Sequence, residues 1–399
     1  MATSSAQAVF VTSKVLENVA AIPSMARTEE AFLLLLMSYV AYIEATRMHV
    51  KGNAMRYLAV IGLLLASGLF AAAGSSPAYA ERRAFELTIE DTKIVLVENQ
   101  SFHTFAFNGQ VPGPLMHVQE GDDVEVTVTN LTTLPHTIHW HGLLQRGSWQ
   151  NDGVPDVTQK AIAPGDSYTY KFKADPAGTM WYHCHVNVHE HVAMRGMWGP
   201  LVVEPRNPRP IEKEITKDYL LMLSTWVSKW ADRPGEGGEP GDVHDFFTIN
   251  GKAFPDTQPI RVKEGDLVRL RLFGSGDAVH SIHLHGHVFE VFAKDGHPLP
   301  APYKADTILI GPGERYDIIF RADNPGRWMV HDHVDSHTVN GRKGHGGIMT
   351  VVEYEGIPND QPWYHWGHKK FEPDFYYESA LKKPLGMHEA EVFKGTPAK

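Results

Sequence analysis

Beyond about residue 80, apolar and polar positions alternate along this chain in short runs. Val124-Glu-Val-Thr-Val128 and Tyr168-Thr-Tyr-Lys-Phe172 put an apolar or aromatic side chain at every second position, and Leu267–Leu272 and Tyr316–Phe320 behave similarly. A period of two belongs to half-buried strands, whose side chains point to opposite faces in turn. Clusters of Gly, Pro, Asn and Asp separate the runs, as tight turns require. The pattern predicts an all-β chain built as two β-sandwiches.

The runs occur twice, in one order. Glu120-Gly121-Asp122 precedes the first strand and His136-Thr-Ile-His139-Trp-His141-Gly142, while Glu264-Gly265-Asp266 precedes its counterpart and His280-Ser-Ile-His283-Leu-His285-Gly286. Fifteen residues separate glycine from first histidine in both copies. Ala163-Pro164-Gly165 leads to His183-Cys184-His185, and Gly311-Pro312-Gly313 leads to His331-Asp332-His333, with nineteen residues from proline to histidine each time. Matched spacings at independent points identify a duplicated domain. Pro205–Pro210 reads as a linker, and Ala231–Gly241 as a flexible surface loop.

The one long uncharged apolar run, Leu58–Ala73, follows Lys51 and Arg56 and leads into Pro77-Ala-Tyr-Ala80. A basic flank, an apolar middle and a small-x-small exit form a secretory signal peptide, with cleavage expected after Ala80. A membrane anchor is the competing reading, because the run approaches the ~20 residues needed to span a bilayer. The apolar stretch Ala31–Ile43 is too short to span, and residues 1–54 read as an upstream extension of the frame, with Met48 or Met55 as alternative starts. The expected organisation is an extension and signal peptide over 1–80, a first domain over 81–207, a second over 208–355 and a tail over 356–399 that covers the second domain or a neighbouring chain. Export places the mature chain in the periplasm or outside the cell.

Composition narrows the chemistry. The 37 basic and 47 acidic side chains leave a net charge of −10, which argues against a nucleic-acid partner, since phosphate neutralisation needs surplus Lys and Arg. A single cysteine, Cys184, excludes intrachain disulfides, zinc ribbons and iron–sulfur frameworks. Histidine is abundant: of 23, fifteen fall within 136–191 and 280–337. Four His-x-His pairs stand at matched positions, His139/His141, His183/His185, His283/His285 and His331/His333. On a strand, each pair presents both imidazoles on one face, and neutral imidazole is a good ligand for copper and zinc. Cys184 then selects the metal. Its thiolate with His136, His189 and the thioether of Met194 makes the ligand set of a blue-copper electron-transfer site.

These strings resemble the multicopper oxidase family, specifically its two-domain members, over roughly Phe85–Tyr354. The resemblance implies two tandem cupredoxin-like Greek-key β-sandwiches and copper as cofactor: one type 1 ion, one type 2 ion and a type 3 pair per active site. It implies a type 1 copper held by His136, Cys184, His189 and Met194 in the first domain alone, because Asp332 and Arg342 stand where the second copy would need cysteine and methionine. His139 and His283 would hold the type 2 copper, and His141, His183, His185, His285, His331 and His333 the type 3 pair. His280 and His337 read as structural relics of a lost site.

The implied reaction removes single electrons from a small reducing substrate or a low-valent metal ion and passes four to dioxygen, giving water. Electrons would enter through His189 and leave through Cys184, and Asp152 would deliver protons, although Asn-Asp-Gly is also strong turn chemistry. Two-domain relatives imply a ring-shaped homotrimer whose cluster lies between subunits. A copper nitrite reductase and a non-catalytic copper or electron carrier are the alternatives. The first is disfavoured by His139 and His185, the second by eight paired histidines that a carrier does not need.

Overall fold

The computed structural model describes residues 80–233, 235, 238–239, 241–341, 344–358 and 383–398. The expected signal peptide, with its run Leu58–Ala73, and Arg342 lie outside the described residues. Among those described, no helix is long and apolar enough to cross a membrane.

The alternating runs are strands. In Asp123–Asn130 the side chains of Val124, Val126 and Val128 are buried while those between them face outward, as a sheet with one face on a core demands. Among the described residues the strands form four sheets. In spatial order the first holds Gln100–Phe107, Arg82–Val97, Asp123–Asn130 and Ser167–Lys173, and the second holds Gly386–His388, Leu115–Gln119, Trp198–Glu204, Gly178–Cys184 and Ile138–His141. The third runs Phe246–Ile249, Lys217–Trp226, Leu267–Gly274, Arg315–Arg321, Phe289–Lys294, His297–Ala305, and the fourth Ile260–Val262, Met349–Tyr354, Arg327–Asp332, His280–Leu284, Thr307–Ile310.

The duplication shows in the pairing. Arg82–Val97 runs parallel to Asp123–Asn130, and Lys217–Trp226 runs parallel to Leu267–Gly274. Leu115–Gln119 with Trp198–Glu204 and Ile260–Val262 with Met349–Tyr354 are parallel as well. Parallel neighbours in otherwise antiparallel sheets need long return connections, which is the Greek-key signature. The described residues form two cupredoxin-like β-sandwiches.

Two expectations change. Residues 383–398 of the tail pack on the first sandwich rather than the second: Gly386–His388 pairs with Leu115–Gln119 and Thr396–Pro397 with Arg82–Val97. Buried Phe393 and a hydrogen bond from the Ala390 amide to Gln110 Oε1 (3.0 Å) hold it there, so the tail covers sheet edges that would otherwise expose unpaired backbone. The stretch after Ala231 is not a free surface loop either. The Ala231 carbonyl accepts from the His103 amide (2.7 Å) and the Arg233 carbonyl accepts from Arg195 Nη2 (2.6 Å), so a segment of the second repeat is tied to the first sandwich.

A buried charge cluster joins the sandwiches. Asp218, fully buried, takes Arg269 Nη2 at 2.7 Å and Arg271 Nε at 3.0 Å. Arg271 reaches on to Thr179 Oγ1 of the first sandwich (2.7 Å), and that hydroxyl donates to Asp317 (2.6 Å).

Candidate metal centres

Strand alternation separates two chemistries at Cys184. Across the sheet Ile138 faces Cys184 and His139 faces His183. Side chains opposite one another share a face, so Cys184 joins Ile138 in the core while His183 and His139 turn to the other side. Cys184 is fully buried.

On the core face, Cys184 Sγ lies 3.6 Å from His136 Nδ1 and 3.4 Å from His191 Nδ1. The three donor atoms form one of the groups able to hold a metal ion. The Phe105 ring packs against both imidazoles, with centroids at 5.0 and 5.1 Å. His136 Nε2 lies 2.9 Å from Thr132 Oγ1, and that hydroxyl can itself donate to Asn130 Oδ1 (2.8 Å). With the ring proton on Nε2, the Nδ1 lone pair is left for a ligand. Burial, reinforced by the neighbouring His191, pushes the His136 pKa far down, and burial with the nearby Arg195 lowers that of His191 to about 4. Both rings are therefore neutral and ligand-ready. Burial raises the Cys184 thiol to about 11, so a metal must displace its proton to bind.

The expected ligand His189 is not at the sulfur. The helical turn Val188–His191 (α1) turns His189 outward, 47% exposed and 3.8 Å from Asp277 Oδ2, and carries His191 inward. His191 was missed because His189 satisfies the familiar spacing; the apolar run Val192-Ala-Met194 after it was the signal of a buried imidazole. Met194, three residues beyond this turn, is buried. Met197, also missed, is joined to Cys184 through the backbone: the Cys184 amide donates to the Met197 carbonyl (3.1 Å) and the Met197 amide to the His191 carbonyl (3.0 Å). The Met197 side chain is fully buried.

On the other face, His139, His141 and His183 form a second group able to hold a metal. His141 Nδ1 is 3.4 Å from His183 Nε2, and the His185 ring lies 5.4 Å from that of His139. The second repeat builds the same quartet. His285 Nε2 lies 3.0 Å from His331 Nε2, and the rings of His283 and His333 are 5.4 Å apart. Backbone carbonyls orient these rings. The Nδ1–H of His139 donates to the Asp152 carbonyl (2.8 Å) and that of His283 to the Asp306 carbonyl (2.8 Å). His183 donates likewise to the Cys184 carbonyl (2.8 Å) and His331 to the Asp332 carbonyl (2.9 Å). A carbonyl only accepts, so all four rings carry their proton on Nδ1 and present the Nε2 lone pair to the quartet face, where a metal would take it. Burial pushes His183 well below its usual pKa, and burial with the nearby Arg315 takes His141 to about 3.

Asp152 sits 3.4 Å from His139 Nδ1 through its carboxylate, partly exposed, yet it is its carbonyl that holds the ring. It also ends the turn Trp149–Asn151. Gly153 follows at φ 85°, where a Cβ would overlap the Ile138 carbonyl, so this turn can press against the histidine strand only with glycine there.

In the second repeat His280, Asp332 and His337 stand at the position of the sulfur site and form a third group able to hold a metal, with a carboxylate in place of the sulfur. Asp332 occupies the position of Cys184, opposite Ile282. Its Oδ2 accepts from His280 Nδ1 (2.7 Å) and His337 Nδ1 (2.8 Å). The Asp332 amide donates to the Ile348 carbonyl and the Ile348 amide to the His337 carbonyl, both at 3.0 Å. Those are the bonds of Met197, so His337 corresponds to His191 and Ile348 to Met197. A carboxylate with two N–H bonds replaces a sulfur at metal-like separations.

Two multicopper oxidase family models match the chain, one over residues 88–208 and one over 233–345. The structure of a blue copper oxidase from Nitrosomonas europaea is 70% identical, covers 80% of this chain and is covered completely, with a TM-score of 0.78. That of the multicopper oxidase mgLAC is 57% identical, covers 79% and is also covered completely, at 0.77. Laccase-2 of Botryotinia fuckeliana is 34% identical over 266 residues, 60% of this chain and 43% of its own length, so the chain spans less than half of that relative.

Proposed function

Because the chain belongs to the multicopper oxidase family, we propose that it takes single electrons from a small reducing donor at a copper held by Cys184, and reduces dioxygen to water at a copper cluster held by the histidine quartets. The observation that carries this is the alternation at 183–185: one strand aims a sulfur into a three-donor core site and its two neighbours onto the quartet face. Bound copper supplies the one-electron acceptor at the sulfur and, as a type 2 ion and a type 3 pair, the multi-electron donor to dioxygen. The residues fit it: a thiolate with two neutral Nδ1 donors suits a blue site, and eight imidazoles suit three ions. In this reading His136, Cys184, His191 and Met197 hold the first ion; His191 and Met197 take the places expected of His189 and Met194. His139, His141, His183, His185, His283, His285, His331 and His333 hold the cluster. Peptide links from Cys184 to His183 and His185 join the two sites covalently. Asp152, partly exposed beside His139, is placed to relay protons for water formation.

Each quartet is half of a cluster in this reading, completed by another copy in a homotrimer. Support comes from the rings, since none of the first quartet lies against any of the second among the described residues. Leu309 (62% exposed) and Met329 (38% exposed) beside the second quartet give further support. Export, with cleavage after Ala80, rests on the sequence layout and predicts a mature chain beginning at Glu81.

The test is a copper count with oxygen uptake on the purified protein. About four coppers per chain, an intense blue band and oxygen consumption with a phenol or aryl amine are expected. About two coppers per chain would favour a nitrite reductase, and full loading without oxygen uptake a copper carrier.

A further inference from the structure

We infer that the Asp332 carboxylate is a positioning residue for the second half of the copper cluster, tying together the segments that carry His283, His331 and His333 before any copper binds. The inference rests on the preceding reading that the two quartets hold that cluster. Asp332 lies between two quartet histidines in sequence. Its fully buried side chain nevertheless joins Ile282 on the core face, while His331 and His283 turn to the other. Its carboxylate bonds no quartet ring among the described residues and acts through the backbone. Oδ1 accepts the amides of Ser281 and Val334, both at 2.9 Å. Ser281 stands two residues before His283, and its carbonyl takes the His333 amide (2.7 Å). Val334 directly follows His333. The Asp332 carbonyl accepts from His331 Nδ1 (2.9 Å). One residue thus grips both segments from which the quartet projects.

The first repeat makes the same contacts with sulfur. The amides of Thr137 and Val186, counterparts of Ser281 and Val334, reach Cys184 Sγ, the second at 3.4 Å. His136 and His191 approach that sulfur at 3.6 and 3.4 Å, against 2.7 and 2.8 Å for His280 and His337 at Asp332 Oδ2. A thiol sulfur is a weak acceptor, whereas an ionised carboxylate offers about four acceptor sites. Four N–H groups, two from imidazoles and two from the backbone, fill those sites at Asp332. An ion is needed to join the first pair of imidazoles firmly; the carboxylate joins the second pair by itself.

Tautomers explain why the oxygen site keeps protons where the sulfur site is suited to a metal. The donor atoms of His280, Asp332 and His337 are close enough to share an ion. An ion on His280 Nδ1 would move the ring proton to Nε2, which is buried without a partner among the described residues. An orphaned buried N–H is costly. His136 avoids that cost through Thr132, four residues before it, and Gly276 stands at the matching position before His280. The His280 proton therefore stays on Nδ1, bonded to Asp332.

The experiment equilibrates the copper-loaded protein against buffered free copper. Blue absorption reports the sulfur site, and the type 2 EPR signal reports the cluster. Asp332→Asn removes the charge and sets an N–H donor against imidazoles that also donate. It should need at least tenfold more free copper to fill the cluster. Oxygen uptake with a phenol at one fixed copper level should fall at least tenfold, while anaerobic bleaching of the blue band by that phenol keeps its wild-type rate. His337→Gln, which removes one of the two bonded rings, should shift filling in the same direction by at least threefold. Wild-type filling curves in both variants would overturn the inference, as would loss of the blue band in step with the cluster. So would a wild-type metal count above about four per chain that drops by one in Asp332→Asn, because the carboxylate would then hold an ion. Wild-type protein that fills the blue site alone at every copper level would instead overturn the cluster reading.

Discussion

Which imidazole reaches Cys184 is decided by a single helical turn. His189 and His191 are two residues apart, about 200° around a helix, so when one meets the sulfur the other faces water. His191→Ala should abolish the blue band and cut turnover at least about a hundredfold, whereas His189→Ala should keep the band. Visible spectra of the two variants check this directly, and a blue His191→Ala protein would restore the spacing-based assignment. Cys184→Ser should lose the band and oxygen uptake together. Asp152 shows the same point in another form: its type was legible as both turn former and acid, but only the fold makes its carbonyl the partner of His139.

Register carries the argument for whole elements. Cys184 with Met197 and Asp332 with Ile348 are equivalent cross-strand pairs, joined by equivalent backbone bonds to His191 and His337. The second repeat has thus kept both imidazoles and exchanged both sulfurs. Asp332→Cys combined with Ile348→Met should therefore raise bound copper by about one per chain and add a second blue absorption. A copper count and EPR on the double variant decide it; unchanged stoichiometry would show that retained histidines do not suffice. The strands, the duplication and the face shared by each His-x-His pair were legible because a period of two is local. Correspondence between the repeats near His191 was not, because seven residues separate Cys184 from His191 but only five separate Asp332 from His337.

At the scale of the molecule, a buried charge cluster inside the second sandwich holds the arginine that bonds Thr179 of the first. Burial alone would raise the Asp218 pKa, but the charges and hydrogen bonds of Arg269 and Arg271 outweigh it and bring it down to about 2. A depressed carboxylate stabilises the fold fully above its unfolded pKa of about 4, and that contribution is lost as pH falls towards about 2. The shift corresponds to ~2 kcal/mol. Unfolding free energies of wild type and Asp218→Asn should converge by about that amount between pH 5 and about pH 2. Leu309 tests the assembly. In the proposed trimer its exposed side chain is covered by a neighbour, so Leu309→Arg should dissociate the protein and stop oxygen uptake while the blue band of the first sandwich persists. Light scattering and spectroscopy on one sample check both halves, and an active monomer would show that a single chain completes the cluster.

The order of residues by itself determined the β architecture, the doubling and the donor types, because alternation, turn chemistry and metal preference are written in short stretches. Tertiary structure alone decided that His191 meets the sulfur, that Asp332 bonds two rings in its place, and that residues 383–398 cover the first sandwich. Those outcomes depend on register between strands and on insertions within loops, where contact is set by distance across a sheet and not by distance along the chain.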